Sequence, residues 1–208
     1  MTTTVFITRY WKSARRELAA WLLLALLLPG WAWAQATAEV AQLKVERTEE
    51  GVLLSTSVRF EVPPPVDEAL AKGIPMYFVA EATLYQDRWY WYDKRVAGAQ
   101  RHMRLSYQPL TRRWRLQVSS APIGHSGLAL GQTFETRDEA LAAVQRISQW
   151  KIAEPVELEA DARYNVDFRF RLDISQLPRP FQIGAVGQAD WNISASRNQR
   201  LGATESAK

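Results

Sequence analysis

Apolar and polar residues alternate with a period of two over several stretches of the chain. Val52, Leu54, Thr56, Val58, Phe60 and Val62 fall on one side of an extended segment, opposite Ser55, Ser57, Arg59 and Glu61. Tyr164, Val166, Phe168, Phe170, Leu172 and Ile174 repeat the pattern against Asn165, Asp167, Arg169, Arg171 and Asp173. Shorter runs do the same. Met103, Leu105 and Tyr107 oppose His102, Arg104 and Ser106; Trp114, Leu116 and Val118 oppose Arg113, Arg115 and Gln117; Trp191, Ile193 and Ala195 oppose Asn192 and Ser194. Successive side chains of a strand point to opposite faces, so each run predicts a strand with one apolar and one wet face. Such strands belong to antiparallel sheets packed on one side.

The connections agree with that reading. Thr48 to Gly51 (TEEG) links a strand around Ala41 to Arg47 with the next one, and Gln108 to Arg113 (QPLTRR) joins two alternating runs as a hairpin loop. Two segments change period. PPPVDEALAKG has prolines at its start, Asp67 and Glu68 in its first turn and Gly73 beyond its end, which predicts a short helix. TRDEALAAVQRISQW places Thr136 and Glu139 in capping-box spacing and sets Ala140, Leu141, Val144 and Ile147 on one face. The expected fold is mainly β: an antiparallel β-sandwich with two short helices. It occupies residues 35–197 as one domain, and residues 198–208 form a disordered tail.

Residues 1–34 read as a secretory signal. Arg9, Lys12, Arg15 and Arg16 form a positive start, Leu18 to Leu28 is an unbroken apolar run, and Ala32 to Ala34 (AWA) supplies small residues for a peptidase. The apolar run falls short of the ~20 residues that span a bilayer. Cleavage after Ala34 and a periplasmic location are therefore expected, without stable membrane insertion. The alternative is an uncleaved anchor.

Cleavage changes the charge argument. The chain has 26 Lys+Arg and 22 Asp+Glu, of which the signal holds four cations and one anion (Glu17). The remainder carries 22 cations and 21 anions, a net of +1. The basic excess that would suggest nucleic acid belongs mostly to the signal, so nucleic-acid binding is not expected. There is no cysteine, hence no disulfide and no lipid attachment through a thiol, and the fold must rest on its core.

The densest aromatic stretch is Arg88 to Val96, RWYWYDKRV. In a strand Trp89 and Trp91 point one way, Tyr90 and Tyr92 the other. The favoured reading buries the two tryptophans and leaves the tyrosines at the rim, since indole bodies are mostly buried. Two other readings stay open: a stacking platform for a sugar or peptide, and an aromatic belt on a membrane barrel. A platform would place ligand contacts at Arg88, Tyr90, Tyr92, Lys94 and Arg95, where cations flank the rings. Helices inside the strand series speak against a barrel.

Catalytic chemistry finds little support. His102, on a polar strand face, and His125, in a loop, read as surface histidines; a zinc site would need both with added carboxylates. GHSGL around Ser126 lacks the G-x-S-x-G pattern. Asp161, Asp167 and Asp173 alternate with arginines and read as cross-strand ion pairs. No catalytic residue, metal or cofactor is expected. Leu177 to Gln188 (LPRPFQIGAVGQ) is a long connector, read as a crossover packing Phe181 and Ile183 on a sheet edge.

Five blocks in this order, RWYWYDKRV, RLSYQPLTRRWRLQV, FETRDEALAAVQRISQW, FRLDISQLPRPFQIGAV and DWNIS, resemble the proteobacterial family labelled domain of unknown function 4390, over about Glu39 to Ser196. The resemblance implies an exported bacterial protein with no catalytic or binding residues to carry over. Members of that family tend to be encoded beside a sensor kinase of the nitrogen-regulation type, which points to envelope signalling. The expected function is a periplasmic, non-enzymatic module that binds an envelope protein or glycan and modulates a membrane sensor. The alternative is a hydrolase or lyase acting on envelope glycans through an aromatic platform and a carboxylate pair.

Overall fold

A computed structural model describes residues 38–88, 92–123, 130–159, 162–185 and 187–201. The strands are β1 (Glu39–Thr48), β2 (Gly51–Arg59), β3 (Met76–Gln86), β4 (Lys94–Gln108), β5 (Arg113–Ser119), β6 (Leu130–Phe134), β7 (Arg146–Ala153), β8 (Tyr164–Leu172) and β9 (Ser194–Arg200). Among the described residues three α-helices accompany them: α1 (Pro64–Ala71), α2 (Arg137–Gln145) and α3 (Arg179–Ala185). One sheet has the order β1-β2-β7 and the other β6-β5-β4-β3-β8-β9. All pairings are antiparallel. These are two open sheets packed face to face, not a closed barrel, as the alternation requires.

The core lies where the inward rows meet. Val52, Leu54 and Val58 of β2 are buried, as are Val166, Phe168 and Phe170 of β8 and Met76, Phe78 and Leu84 of β3. Phe60, just past β2, joins the layers: its ring centroid lies 5.6 Å from Phe78 and 5.5 Å from Phe170, with 5.7 Å between those two. Such spacing is typical of favourable aromatic pairs. Along the β1/β9 side, Arg197 reaches across and donates to the carbonyls of Val40 (3.1 Å) and Ala41 (3.4 Å). These carbonyls sit at the register shift of β1 between Val40 and Gln42. A cation there supplies a donor where the ladder is interrupted.

Several elements differ from the sequence expectation. The capping box forms as expected, with Thr136 Oγ1 accepting from the Glu139 amide at 3.3 Å. The helix nevertheless ends at Gln145, and Ile147 belongs to β7 rather than to the helical face. Ile147 is spaced three residues after Val144, so it fits a helix equally well. The strand itself is disguised: Gln149 has φ 47° and a register shift lies opposite Leu54/Thr56, so Ser148 and Gln149 are exposed in succession and the period of two is lost.

The connector after β8 holds a third helix, α3, and links neighbouring antiparallel strands instead of crossing over. Phe181 packs against the core as expected, but Ile183 is 79% exposed. Trp191 is buried, yet in a 3₁₀ turn (Ala189–Trp191) ahead of β9. β9 itself extends to Arg200, paired with Asn165, past the boundary expected at residue 197.

Candidate functional site

The outer face of the six-stranded sheet follows from the pairing register. Tyr77, Val79, Glu81, Thr83 and Tyr85 of β3 face outward with Arg104, His102, Gln100, Gly98 and Arg95 of β4 and with Arg171, Arg169, Asp167 and Asn165 of β8. Arg115 and Arg200 extend this face at either side. Glu81 accepts from Arg171 (3.2 Å) and from Gln100 (3.4 Å). Arg169 pairs with Asp167 at 2.8 Å, along its own strand and not across strands as the sequence suggested. Arg104 lies over the Tyr77 ring, 5.8 Å from its centroid. The face is thus polar, interlocked and richer in arginine than in carboxylate.

His102 sits in this face on the expected side of β4, but it is only 7% exposed and not a surface histidine. Its neighbour across the ladder, Val79, is buried too, which places the imidazole in a dry spot of an otherwise wet face. Both ring nitrogens are buried without a hydrogen-bond partner among the described residues. Burial holds its pKa below the ordinary 6.5; Asp173 opposes this, Arg171 reinforces it and Glu81 opposes it. The unfolded chain therefore binds the proton first. Stability should be full above pH 6.5 and fall as the pH drops below it towards the folded pKa. Melting curves between pH 8 and about 5 should show this slope, and His102→Gln should flatten it.

Asp173, which caps the 3₁₀ turn Ile174–Gln176, titrates lower. Burial alone would raise its pKa, but hydrogen bonds from Ser175 Oγ (2.6 Å), Gln176 Nε2 (2.8 Å) and the Ser175 amide (3.1 Å), with Arg171 nearby, bring it below the usual value. Its contribution is lost only as the pH falls through the carboxylate range.

With Tyr90 outside the described residues, the positions expected to contact a ligand fall at the tip of the β3–β4 hairpin. Its base is fixed: the Asp87 amide donates to the Arg163 carbonyl (2.9 Å), Asn165 Nδ2 donates to the Asp87 carboxylate, and Gln86 Nε2 donates to Glu159 (2.9 Å). Beyond this base Arg88, Tyr92, Lys94 and Arg95 are all exposed, Tyr92 to 87%. Arg95 folds back along the outer face, so close to Gly98 that a Cβ there would lie 2.5 Å from its Nη2. Trp89, Tyr90 and Trp91 lie outside the described residues, as do His125, Ser126 and Asp161, so the burial expected of the two tryptophans concerns residues beyond this description.

Four of the five expected contact positions are exposed about one hairpin tip, and Arg95 leads from it into a face that sequence reading treated as mere ion pairing. Arg104 and Arg115 were legible as polar positions of alternating strands. What joins them to Arg95 is the strand order, which no local pattern reports. Among the described residues, no three His, Asp or Glu side chains converge in a way that could hold a metal. No helix among them is long and apolar enough to cross a membrane.

Neither the curated proteins nor the solved structures hold a match to the chain. A family model described as domain of unknown function (DUF4390) matches residues 35–200, from before β1 to the last residue of β9. With most of its length covered, and all of its sandwich, the chain belongs to the DUF4390 family.

Proposed function

We propose that this chain is an exported, non-enzymatic binding module of the bacterial envelope, periplasmic after removal of residues 1–34. Its partner is an envelope protein or glycan, and a membrane sensor is the protein partner that the family resemblance favours. The observation carrying this reading is Tyr92, 87% exposed at a hairpin tip and flanked by the exposed Arg88, Lys94 and Arg95. A solvated tyrosine between cations adds nothing to a core. Tyrosine and arginine are, however, the residue types that carry most binding energy at interfaces. Export is supported by the signal pattern of residues 1–34.

A glycan hydrolase would need two carboxyl groups facing one sugar. About the tip Asp87 is engaged by Asn165 and Glu159 by Gln86, which leaves Asp93 as the one unengaged carboxylate among the described residues there and favours binding over hydrolysis. The reading is tested by affinity capture from intact envelopes with the wild-type chain and with a Tyr92→Ser, Arg95→Glu double variant. The variant should melt like wild type and lose most of the captured partner. Equal recovery of that partner by both chains would contradict the proposal.

A further inference from the structure

The inward row of β4 runs Leu105, Met103, Arg101, Ala99, Ala97. Arg101 is the single cation of that row, half-buried and flanked within it by apolar residues. Its Nε is buried without a hydrogen-bond partner. Burial lowers its pKa. Among the described residues neither Arg101 nor Arg146 takes part in an ion pair. A partly desolvated cation without a carboxylate costs stability, so its presence calls for an explanation.

The space beside Arg101 supplies one. The three-stranded sheet ends at β7, whereas the other sheet continues through β5 and β6. Helix α2 covers part of this overhang and leaves a groove of about 590 Å³. Its floor is Leu116, Val118 and Phe134; Ala143 of α2 and Arg146 of β7 form its wall, and Arg101 opens into it. Glu139 also lines the groove, but its carboxylate accepts from the Thr136 amide at 3.4 Å in the capping box. Farther along the same face of β6, Leu130 is 80% exposed. Gln132 and Ser148 line it as well, so an apolar floor meets a polar rim; a groove of this kind, between roughly 300 and 1,000 Å³, suits a small amphiphilic ligand.

We propose that this groove binds a small anionic amphiphile, an unbranched apolar chain bearing one carboxylate, with the carboxylate against the Arg101 guanidinium and the chain along Leu116, Val118 and Phe134. A neutral ligand would leave Arg101 without its counter-charge, and a cationic one would be repelled. The carboxylate supplies the partner that the fold withholds, through a charge-assisted hydrogen bond. This site is separate from the hairpin tip and uses none of its residues.

Titration calorimetry of the full chain with decanoate, decanol and acetate tests it. Decanoate should bind about tenfold or more tightly than decanol, the preference expected of one charge-assisted hydrogen bond, and acetate should show no measurable heat. Arg101→Met should cut the preference for decanoate several-fold, Arg146 remaining in the wall, and, without ligand, raise the melting temperature, because it removes an unpaired, half-buried charge. Ala143→Trp, which fills the groove and leaves Arg101 in place, should weaken both ten-carbon probes alike. Equal binding of decanoate and decanol, absence of binding, or a lower melting temperature for Arg101→Met would overturn the proposal. None of these results bears on capture through Tyr92.

Discussion

Phe168→Ala should lower the unfolding free energy by about 3–5 kcal/mol, the loss typical of deleting a buried ring. Phe168 is 0% exposed. It stands at the centre of β8, opposite Ala82 of β3 and Arg197 of β9, with the three-stranded sheet packed above. Small neighbours such as Ala82 and Ala195 have no side-chain length with which to refill the space, so the cavity should persist. Arg169, one residue on, points to the outer face and pairs with Asp167 in solvent. Arg169→Ala should leave the denaturation midpoint close to wild type. Urea titration of both variants reads the difference. Comparable losses would mean that β8 is buried on both faces, against its alternation.

The second large effect is expected at the turn between β1 and β2. Gly51 has φ 124°, a conformation that residues with a Cβ avoid. A Cβ built there would lie 2.1 Å from the carbonyl oxygen of Ala153, which is backbone and cannot rotate away. Val52, the next residue, pairs with Ala153 at the end of β7. Gly51→Ala must therefore both strain the hairpin and push β7 off its neighbour, a loss of at least about 2 kcal/mol. Gly187 is the natural control. It also has a positive φ, 80°, but open space surrounds its Cβ position. Gly187→Ala should show the backbone cost alone and so lose clearly less.

The strands whose alternation is uninterrupted, β2 and β8, are legible in the sequence because each has one face in the core and one in water. The β4–β5 hairpin is legible for the same reason, helped by its polar loop. β7 is hidden by its bulge at Gln149, and β3 by its central position. Val79 and Ala80 of β3 are buried in succession, so no alternation marks it, although it is the strand to which β4 and β8 both pair.

The candidate site divides in the same way. Arg88, Tyr92, Lys94 and Arg95 could be picked from composition alone, as cations around rings. His102 could not be placed, because its parity is right and its burial comes from tertiary neighbours. Arg101 was equally hidden. Only the difference in width between the sheets shows that an inward arginine opens onto a groove and not into a closed core.

The central claim is that the hairpin tip, and not the sandwich surface at large, meets the partner. It is tested most directly by placing a photo-crosslinking amino acid at position 92 in the living cell, with position 156 as control. Val156 is 91% exposed in the turn Pro155–Glu157, away from the tip in sequence and outside the outer-face rows. Crosslinking from position 92 should give one discrete envelope adduct that disappears when Arg95→Glu is added, while position 156 gives none. The same adduct from both positions, or an adduct at 92 that is indifferent to Arg95→Glu, would contradict the assignment of the tip as the binding element.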